Sequence, residues 1–331
     1  MKLVSYWQQG STKLGAIVND QVYALQDVNQ QLPNDINAFL RLGVSVREET
    51  QEKLISLLEK SGSIAPVQDY QLMAPVPHPT SCRDGYAFRQ HVEAARRNRG
   101  VDMIQEFDQY PIFYFTNHNA IQGPGAIYCM PDHFQQLDFE LEIAIVIGKE
   151  GKNIKAKDAD EYIAGFTIMN DLSARKLQME EMLLNLGPAK GKDFSTVIGP
   201  WLVTPDELKS YLVPAKKGHV GNNYDLSMKC WVNDQLVSEG NVKDMDWTFA
   251  EIIERCSYGV TIYPGDVIGS GTVGTGCFLE LNGTGKLKDA NYTPQWLQPN
   301  DVVTMSIDGL GTLENTIYKE DTDWSILSLK K

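Results

Sequence analysis

The sequence has no long apolar run and no excess of positive charge. Its longest aliphatic run, Ile143 to Ile147, has five residues, against about 20 for a helix that crosses a bilayer. Met1 to Gly10 carries one lysine and no apolar core, which is not the pattern of a signal peptide. A formal net charge of −13 at pH 7 disfavours nucleic acid and anionic membranes as partners. We therefore expect a cytoplasmic protein that binds neither.

Cysteine and histidine are both scarce, with five residues of each. The cysteines are scattered, odd in number and contain no C-x-x-C pair. This pattern predicts reduced thiols rather than a disulfide framework, and its spacing disfavours a zinc site. The sequence also lacks G-x-S-x-G and H-E-x-x-H motifs, so it gives no support to a serine hydrolase of that type or to a zincin.

Strand patterns fill the first 30 residues, where KLVSYWQ, LGAIVND and QVYALQD alternate and Asn19-Asp20 is placed like a hairpin turn. Helical spacing follows from about Asn34 to Leu42 and again from Glu52 to Leu58. Gly62 to Pro79 is a connector rich in proline. These features predict a small N-terminal domain, residues 1–70, and a larger domain, residues 71–331.

Aromatic and β-branched runs separated by glycine dominate the larger domain. They include PIFYFTNH, LDFELEIAIVIG, YIAGFTIMND, GPWLVT and DVVTMSIDGLGTLENTI. Helices are predicted only at Phe88 to Arg97, Ser173 to Asn185 and Trp247 to Cys256. Strands without regular intervening helices favour an antiparallel or mixed sheet over a doubly wound fold. The predicted class is α+β, mostly β.

One segment alternates acidic and apolar residues: Asp138, Glu140 and Glu142 are separated by Phe139 and Leu141. On a strand they share one face, with neighbours about 7 Å apart. Two such carboxylates can converge on a single ion. The alternative is a half-exposed strand with a solvated acidic face, and the pattern alone leaves both open.

A third carboxylate, Asp171, ends an apolar strand pattern just before a predicted helix. It is either a metal ligand or simply the N-cap of that helix. Arg175 and Gln178 are three residues apart and so share one helix face. Because the candidate ligands are all oxygen atoms, the set suits Mg²⁺, Mn²⁺ or Ca²⁺ better than Zn²⁺.

Three further features have functional and ordinary interpretations. His91, at a predicted helix start, is a base or a surface or capping residue, and Lys192 is a site residue or a solvated lysine. The segment from Gly269 to Gly274 matches G-x-G-x-x-G. The following CFLELNG has a strand pattern and no βαβ unit is predicted, so we reject dinucleotide binding. We expect a tight turn whose N–H groups and Thr272 face a ligand.

Taken together, these motifs resemble the fumarylacetoacetate hydrolase family over most of residues 70 to 310. The matching motifs, in chain order, are D-x-Y-x-x-R-Q-H from Asp84, L-D-x-E-L-E from Leu137, N-D-x-S-A-R-x-x-Q from Asn170, G-K-x-F-x-T from Gly191, S-G-T from Ser270 and L-E-L from Leu279. The resemblance implies a C-terminal mixed β-roll domain, a small N-terminal β-containing domain and a homodimer.

The resemblance also implies roles for particular residues. The catalytic Mg²⁺ or Ca²⁺, with Mn²⁺ as a further option, would be held by Asp84, Glu140, Glu142 and Asp171. His91 would be the general base, oriented by Glu280. The remaining site residues would be Arg175, Gln178 and Lys192 facing the leaving carbanion, Tyr86, Gln178 and Thr272 contacting the substrate, and Lys192 and Thr196 bordering a second cation site.

The implied activity is metal-dependent hydrolysis of a carbon–carbon bond in a 1,3-diketo acid, either fumarylacetoacetate from aromatic amino-acid breakdown or a close analogue. Fumarylacetoacetase itself has a substrate-binding arginine where this chain has Gly100, and a tyrosine where it has Met182. Its tyrosine in the segment around Asn117 to Asn119 also has no clear counterpart. One alternative keeps the site for an acylpyruvate hydrolase, oxaloacetate decarboxylase or 2-oxo-acid hydratase or isomerase. Another is a protein in which the carboxylates bind only structural calcium.

Overall fold

The computed structural model describes residues 1–60 and 64–331. Its strands are β1 Lys2–Gln8, β2 Ser11–Val18, β3 Gln21–Ala24, β4 Gln71–Leu72, β5 Cys82–Gly85, β6 Phe113–Thr116, β7 Ile121–Gln122, β8 Gly125–Cys129, β9 Leu137–Asp138, β10 Leu141–Ile147, β11 Gly151–Lys152, β12 Ile163–Asp171, β13 Ser173–Ala174, β14 Thr196–Val203, β15 Leu212–Val213, β16 Asn223–Tyr224, β17 Ser227–Val232, β18 Gln235–Asn241, β19 Thr261–Ile262, β20 Val267–Gly269, β21 Val302–Ile307 and β22 Gly311–Lys319. The α-helices are α1 Leu25–Val28, α2 Ile36–Arg41, α3 Val44–Glu59, α4 Arg89–Arg97, α5 Ala156–Ala159, α6 Arg175–Met182, α7 Phe249–Ser257 and α8 Phe278–Lys288. Short 3₁₀ helices lie at Gln105–Asp108, His118–Ala120, Pro131–Gln135, Asp160–Tyr162, Pro205–Tyr211, Val242–Asp244 and Leu327–Leu329.

The main sheet is mixed, in the order β3-β2-β1-β14-β12-β10-β20-β5-β6. Most neighbours are antiparallel, whereas β20 and β5 run parallel. Every residue of β10 and β12 is buried, which explains their nearly continuous apolar sequences. The predicted α+β, mostly β fold with a mixed sheet is confirmed.

Both faces of the main sheet are covered. One face carries Ile143 and Ile145 into a core shared with Met305 and Leu313 of the second sheet, which has the order β18-β17-β21-β22-β8. The opposite face carries Val146, Ile198 and Leu202, together with side chains of α2 and α3, into another core. Polar groups on the central strands are therefore enclosed from both sides.

The N-terminal strands extend this main sheet. Asn19 and Asp20 have φ values of 48° and 59°, the left-handed conformation of a type I′ hairpin turn, as predicted. Lys2 and Leu3 of β1 then pair with β14. The third predicted strand stops at Ala24, because the chain turns there into α1. The domain boundary near residue 70 stays a prediction.

The predicted helices are confirmed as α2, α3, α4, α6 and α7. Their ends differ by a few residues from the prediction, except that α3 already begins at Val44, well before the predicted start at Glu52. The predicted connector begins at Gly62, which lies outside the described residues; from residue 64 to Pro79 only β4 interrupts it.

The strand expected at CFLELNG is wrong, because this segment begins α8. Its first N–H groups, on Phe278 and Leu279, donate to the Asp138 carboxylate at 2.7 and 2.9 Å. A buried acceptor distant in sequence thus caps the helix and overrides the local strand preference.

Candidate active site

Four buried carboxylates converge at one end of strands β12, β10 and β5, with β20 between β10 and β5. Asp84 comes from β5, Glu142 from β10 and Asp171 from the end of β12, while Glu140 immediately precedes β10. One oxygen from each lies within 4.8 Å of the others. We call these four residues the acidic cluster. The structure therefore brings together all four predicted metal ligands.

Glycine at the end of β20 and in the turn that follows leaves room for the acidic cluster. A Cβ atom on Gly269 would lie 2.5 Å from Asp84 Oδ1 and 3.0 Å from Glu142 Oε2. The N–H of Gly271, which has φ of +80°, donates to Asp84 Oδ1 at 3.0 Å. A diphosphate at this turn would face four carboxylates. The strand expected after the motif is in fact helix α8, so it no longer argues against dinucleotide binding. The rejection rests instead on the negative charge of the acidic cluster.

The acidic alternation does not form one continuous strand. Phe139 and Glu140 lie between β9 and β10 and belong to neither strand. The Glu140 N–H donates to Asn170 Oδ1 at 3.0 Å. Glu140 and Glu142 belong to the acidic cluster, whereas Asp138 lies outside it and contacts Arg175 instead. All three are buried, so the alternative of a solvated acidic face is wrong.

Two buried cations offset part of this negative charge. Lys192 Nζ lies 2.6 Å from Glu140 Oε2 and 2.7 Å from Asp171 Oδ2. Arg175 Nη2 lies 2.7 Å from Glu140 Oε1. Lys192 is therefore not a solvated lysine, and Asp171 is not the N-cap of α6, since that position is Ala174. The acidic cluster thus places four carboxyl groups against two cationic side chains.

The pKa shifts within the acidic cluster differ according to whether a cation is in contact. Burial together with the Asp171 carboxylate raises the pKa of Asp84 to about 7. Burial, followed by the charge of Asp84, raises the pKa of Glu142 well above its usual value. Burial also acts on Glu140, but Lys192 and Arg175 outweigh it and lower its pKa to about 2.

Two oxygen atoms of the acidic cluster have no hydrogen-bond partner in the described part of the chain. They are Glu142 Oε2 and Asp171 Oδ1, both inaccessible to solvent. A buried carboxylate oxygen without a partner is costly unless a cation neutralises it. An all-oxygen donor set of this size fits a hard divalent cation. The residues therefore fit such an ion, which all four members of the acidic cluster would hold.

Tyr114 is a site residue that the sequence reasoning missed. Its hydroxyl donates to Asp171 Oδ2, and its backbone lies opposite Asp84 in the pairing of β6 with β5. Only the strand register places it here. PIFYFTNH carries no motif that distinguishes Tyr114 from its aromatic neighbours.

Beside the acidic cluster, His91 of α4 and Glu280 of α8 form a buried pair. His91 Nδ1 lies 2.7 Å from Glu280 Oε2, and Glu280 Oε1 accepts the Thr275 N–H at 3.0 Å. A ring nitrogen of His91 also lies within 4.8 Å of a Glu140 oxygen. His91 is thus neither a surface residue nor a helix cap. Because Glu280 engages Nδ1, Nε2 is the nitrogen left to exchange protons.

Asp138 connects the two parts of the site. Its Oδ2 accepts from Arg175 Nε at 2.9 Å, and both of its oxygens accept backbone N–H groups at the start of α8. Helix α8 contains Glu280. Arg175, besides its bond to Asp138, also donates to Glu140. Sequence reasoning placed Asp138 beside the glutamates but gave it no role.

The other predicted residues border this centre. Tyr86 packs edge-on against His91 with ring centroids 6.0 Å apart. Gln178 accepts from Arg175 Nη1 at 3.0 Å, and Thr272 Oγ1 lies 3.4 Å from Glu142 Oε1. Thr196 is buried opposite Asp171 in the pairing of β12 with β14.

Gly100 and Met182, two of the departures from fumarylacetoacetase, both lie at exposed positions, shortly after α4 and at the end of α6. Neither provides a charged or hydroxyl group for a substrate.

Comparison with known proteins decides the family. The model named "Fumarylacetoacetate (FAA) hydrolase C-terminal" matches residues 80–318, which is more than half of the chain and includes every residue of the acidic cluster. The chain belongs to the fumarylacetoacetate hydrolase family. The predicted family membership is thereby confirmed.

Curated relatives with different names match over most of this chain. "Oxaloacetate tautomerase FAHD2A, mitochondrial" of Homo sapiens is 31% identical, over 92% of this chain and 84% of that protein. "Fumarylacetoacetase" of Oryza sativa subsp. japonica is 35% identical, over 82% of this chain and 76% of that protein. The family therefore includes relatives named for hydrolysis and for tautomerisation.

Solved structures support the fold. A putative HpcE protein from Mycobacterium smegmatis matches with a TM-score of 0.71 and 22% identity, over 97% of this chain and all of that one. Maleylpyruvate hydrolase from Sphingobium sp. SYK-6, in complex with manganese (II) ion and pyruvate, matches with a TM-score of 0.68 and 21% identity over the same shares. Among the described residues of the present chain, no helix has the length and apolar character needed to cross a membrane.

Proposed function

We propose that this protein is a divalent-metal-dependent hydrolase of a carbon–carbon bond in a 1,3-diketo acid, fumarylacetoacetate or a close analogue. The observation that carries the proposal is the His91–Glu280 pair, 2.7 Å across, beside four carboxylates suited to a metal. A proton acceptor beside a metal site is what hydrolysis of a diketone requires.

Each group has a distinct task in this proposal. A divalent cation held by the acidic cluster, Mg²⁺, Ca²⁺ or Mn²⁺, would supply Lewis acidity toward a substrate carbonyl. His91 Nε2 takes a proton from water, and Glu280 holds the ring and stabilises the imidazolium. Water oxygen bonds to the carbonyl carbon, and the adjacent carbon–carbon bond breaks with its electron pair leaving as an enolate. The His91 imidazolium then returns its proton to the enolate carbon, which regenerates the base.

Positive charge next to the reacting atoms favours that enolate. Arg175 and Lys192 are buried in contact with Glu140, so their charges are weakly screened by water. Gln178, oriented by Arg175, adds an amide donor. Fixed cations and donors of this kind stabilise negative charge that develops during a reaction. Tyr86 and Thr272 are proposed to contact the substrate, and Lys192 with Thr196 to border a second cation site.

The second candidate is interconversion of the keto and enol forms of a 2-oxo acid such as oxaloacetate. It is favoured by the human relative named as an oxaloacetate tautomerase, aligned over 92% of this chain. The exposed Gly100 and Met182 also leave out the arginine and tyrosine of fumarylacetoacetase. Both candidates need a base and a stabilised enolate, so they differ in whether water adds to the carbonyl.

A substrate panel separates the two candidates. Fumarylacetoacetate, acylpyruvates and oxaloacetate are each incubated with Mg²⁺, Mn²⁺, Ca²⁺ or a chelator, and products are followed by absorbance and mass. We expect metal-dependent cleavage of a diketo acid. Tautomerisation without cleavage would favour the second candidate. Absence of turnover with every substrate and ion would overturn both and leave a structural calcium site.

Removal of the base tests the role of His91. We expect His91→Ala to lose roughly 10²–10⁴-fold in kcat while metal stoichiometry is retained. The matched control is His219→Ala, because His219 also pairs with a glutamate, Glu251, at 3.1 Å but lies outside the site. Full activity of His91→Ala would refute the general-base role.

The same proposal includes a homodimer in the cytoplasm, as expected from the sequence. The human relative is named as mitochondrial, so location and assembly both need direct tests. Light scattering coupled to size exclusion would give the mass of the particle, and a monomer would contradict the dimer. Fractionation of source cells would locate the protein.

A further inference from the structure

Cys277 is a buried thiol at the site with no task in the proposed reaction. It is the residue immediately before α8, and its side chain is fully buried. Its sulfur, a ring nitrogen of His91 and a carboxylate oxygen of Glu140 all lie within 4.8 Å of one another. We call these three residues the mixed-donor group. They present one sulfur, one nitrogen and one oxygen donor to a common volume.

We propose that the mixed-donor group is a second metal site, specific for Zn²⁺ and similar borderline ions, and that occupation of it inhibits the enzyme. Thiolate and imidazole are the donors that zinc selects, whereas the all-oxygen acidic cluster suits Mg²⁺, Mn²⁺ or Ca²⁺. The two sites share Glu140 and so form one centre with two different metal preferences. The spacing of the cysteines along the sequence disfavoured a zinc site. That pattern could not include this group, because Cys277 and His91 come together only in the folded chain.

The separations within the mixed-donor group can be closed to those of a zinc site. With Zn–S near 2.3 Å and Zn–N near 2.0 Å, tetrahedral ligand atoms are about 3.5 Å apart. Separations of at most 4.8 Å therefore need about 1 Å of approach, within reach of small side-chain rotations. Three protein ligands leave the fourth position for water, as in open zinc sites.

The partner of His91 also suits this role. Glu280 lies 2.7 Å from His91 Nδ1, which leaves the Nε2 lone pair available to an ion. A carboxylate on the other ring nitrogen is the usual support of a zinc-bound histidine. Zinc on Nε2 would occupy the lone pair that the proposed reaction needs for water, so activity would fall. This inhibitory consequence rests on the proposed function, whereas the metal site itself does not.

Cobalt provides a readout that is independent of activity. Co²⁺ is titrated into protein saturated with Mg²⁺, and the near-ultraviolet thiolate-to-cobalt charge-transfer band is recorded. We expect the band in wild type and its loss in Cys277→Ala and in the near-isosteric Cys277→Ser. The control is Cys256→Ala, which removes a different buried thiol and should keep the band. Absence of the band in wild type, or its persistence in both Cys277 variants, would overturn the proposal.

Inhibition is measured separately with Zn²⁺ on the Mg²⁺-activated enzyme. The Zn²⁺ concentration for half inhibition should rise more than about tenfold in Cys277→Ser, since loss of even an outer contact costs a metal site that much. Equal inhibition of wild type and Cys277→Ser would refute the inhibitory role. If no substrate is turned over, the proposed function fails, and the cobalt band still decides whether the metal site exists.

Discussion

The contacts of Asp138 lead to a quantitative prediction for Asp138→Asn. This carboxylate is fully buried and accepts three hydrogen bonds, from Arg175 Nε, Phe278 N and Leu279 N. Asparagine has nearly the same shape but only one acceptor oxygen. Its NH₂ group would face an N–H group that now donates to Asp138, so two donors would oppose each other. The negative charge beside Arg175 would also be lost.

The magnitude follows from counting these bonds. A hydrogen bond to a charged group contributes about 1.5–3 kcal/mol, and asparagine can keep at most the bonds of one oxygen. Removing one partner of a buried ion pair costs about 3–5 kcal/mol, but Arg175 keeps Glu140 at 2.7 Å. We therefore expect Asp138→Asn to lower the free energy of unfolding by about 3 kcal/mol.

Urea unfolding followed by circular dichroism measures this loss, with Asp323→Asn as the control because Asp323 is exposed near the end of the chain. A decrease in the free energy of unfolding of less than about 1 kcal/mol would show that the contacts of Asp138 with Arg175 and α8 contribute little to stability. Activity gives a second readout, since Asp138 acts through Arg175 and the start of α8. We expect kcat to fall while metal stoichiometry stays at the wild-type value; loss of the metal instead would contradict a positioning role.

Three further predictions concern the metal and pH. Asp171→Asn should lose bound metal and activity together, and unchanged cation content by elemental analysis would rule out its role as a ligand. Burial raises the pKa of Asp84 to about 7, so a metal ion must displace a proton from Asp84 at lower pH. The increase in unfolding temperature caused by Mn²⁺ should therefore grow from about pH 5 to about pH 8. An increase that is the same at every pH would contradict this. Burial lowers the pKa of His133 to about 4, whereas the pKa of histidine in the unfolded chain is near 6.5. Between these values the unfolded chain binds a proton at His133 and the folded chain does not. The free energy of unfolding should therefore fall as pH drops from about 6.5 to about 4. His133→Asn, whose oxygen can accept the Met130 N–H that His133 now accepts, should flatten that decline, and an unchanged pH profile would assign it to other groups.

The sequence predicted the components of the site better than their arrangement. Asp84, Glu140 and Asp171 lie in motifs with distinctive spacing, so the family resemblance identified them before the fold was known. The His91–Glu280 pair, separated by 189 positions, was also expected from that resemblance. Spacing alone could not have joined these two residues, since it is the packing of α4 against α8 that brings them together.

Local patterns failed where distant contacts decide the structure. CFLELNG has the composition of a strand, yet Asp138 caps it into a helix. The alternation around Phe139 predicted one continuous strand, whereas Asn170 binds the backbone of Glu140 where the strand is interrupted. Tyr114 and Cys277 enter the site through strand register and helix packing, which no short motif encodes. Tertiary context overrides local propensity at each of these positions.

The pairing of β1 with β14 limits how this chain can be divided or recombined. Val146, Ile198 and Leu202 are buried against side chains from the first 60 residues. A fragment starting at residue 71 would expose them to water, at about 0.8 kcal/mol for each CH₂ group, and leave an unpaired strand edge prone to aggregation. We therefore expect the N-terminal segment and the catalytic part to unfold cooperatively. Exchange of either part between related proteins would have to preserve both sides of this junction, so the two parts are expected to evolve as one unit.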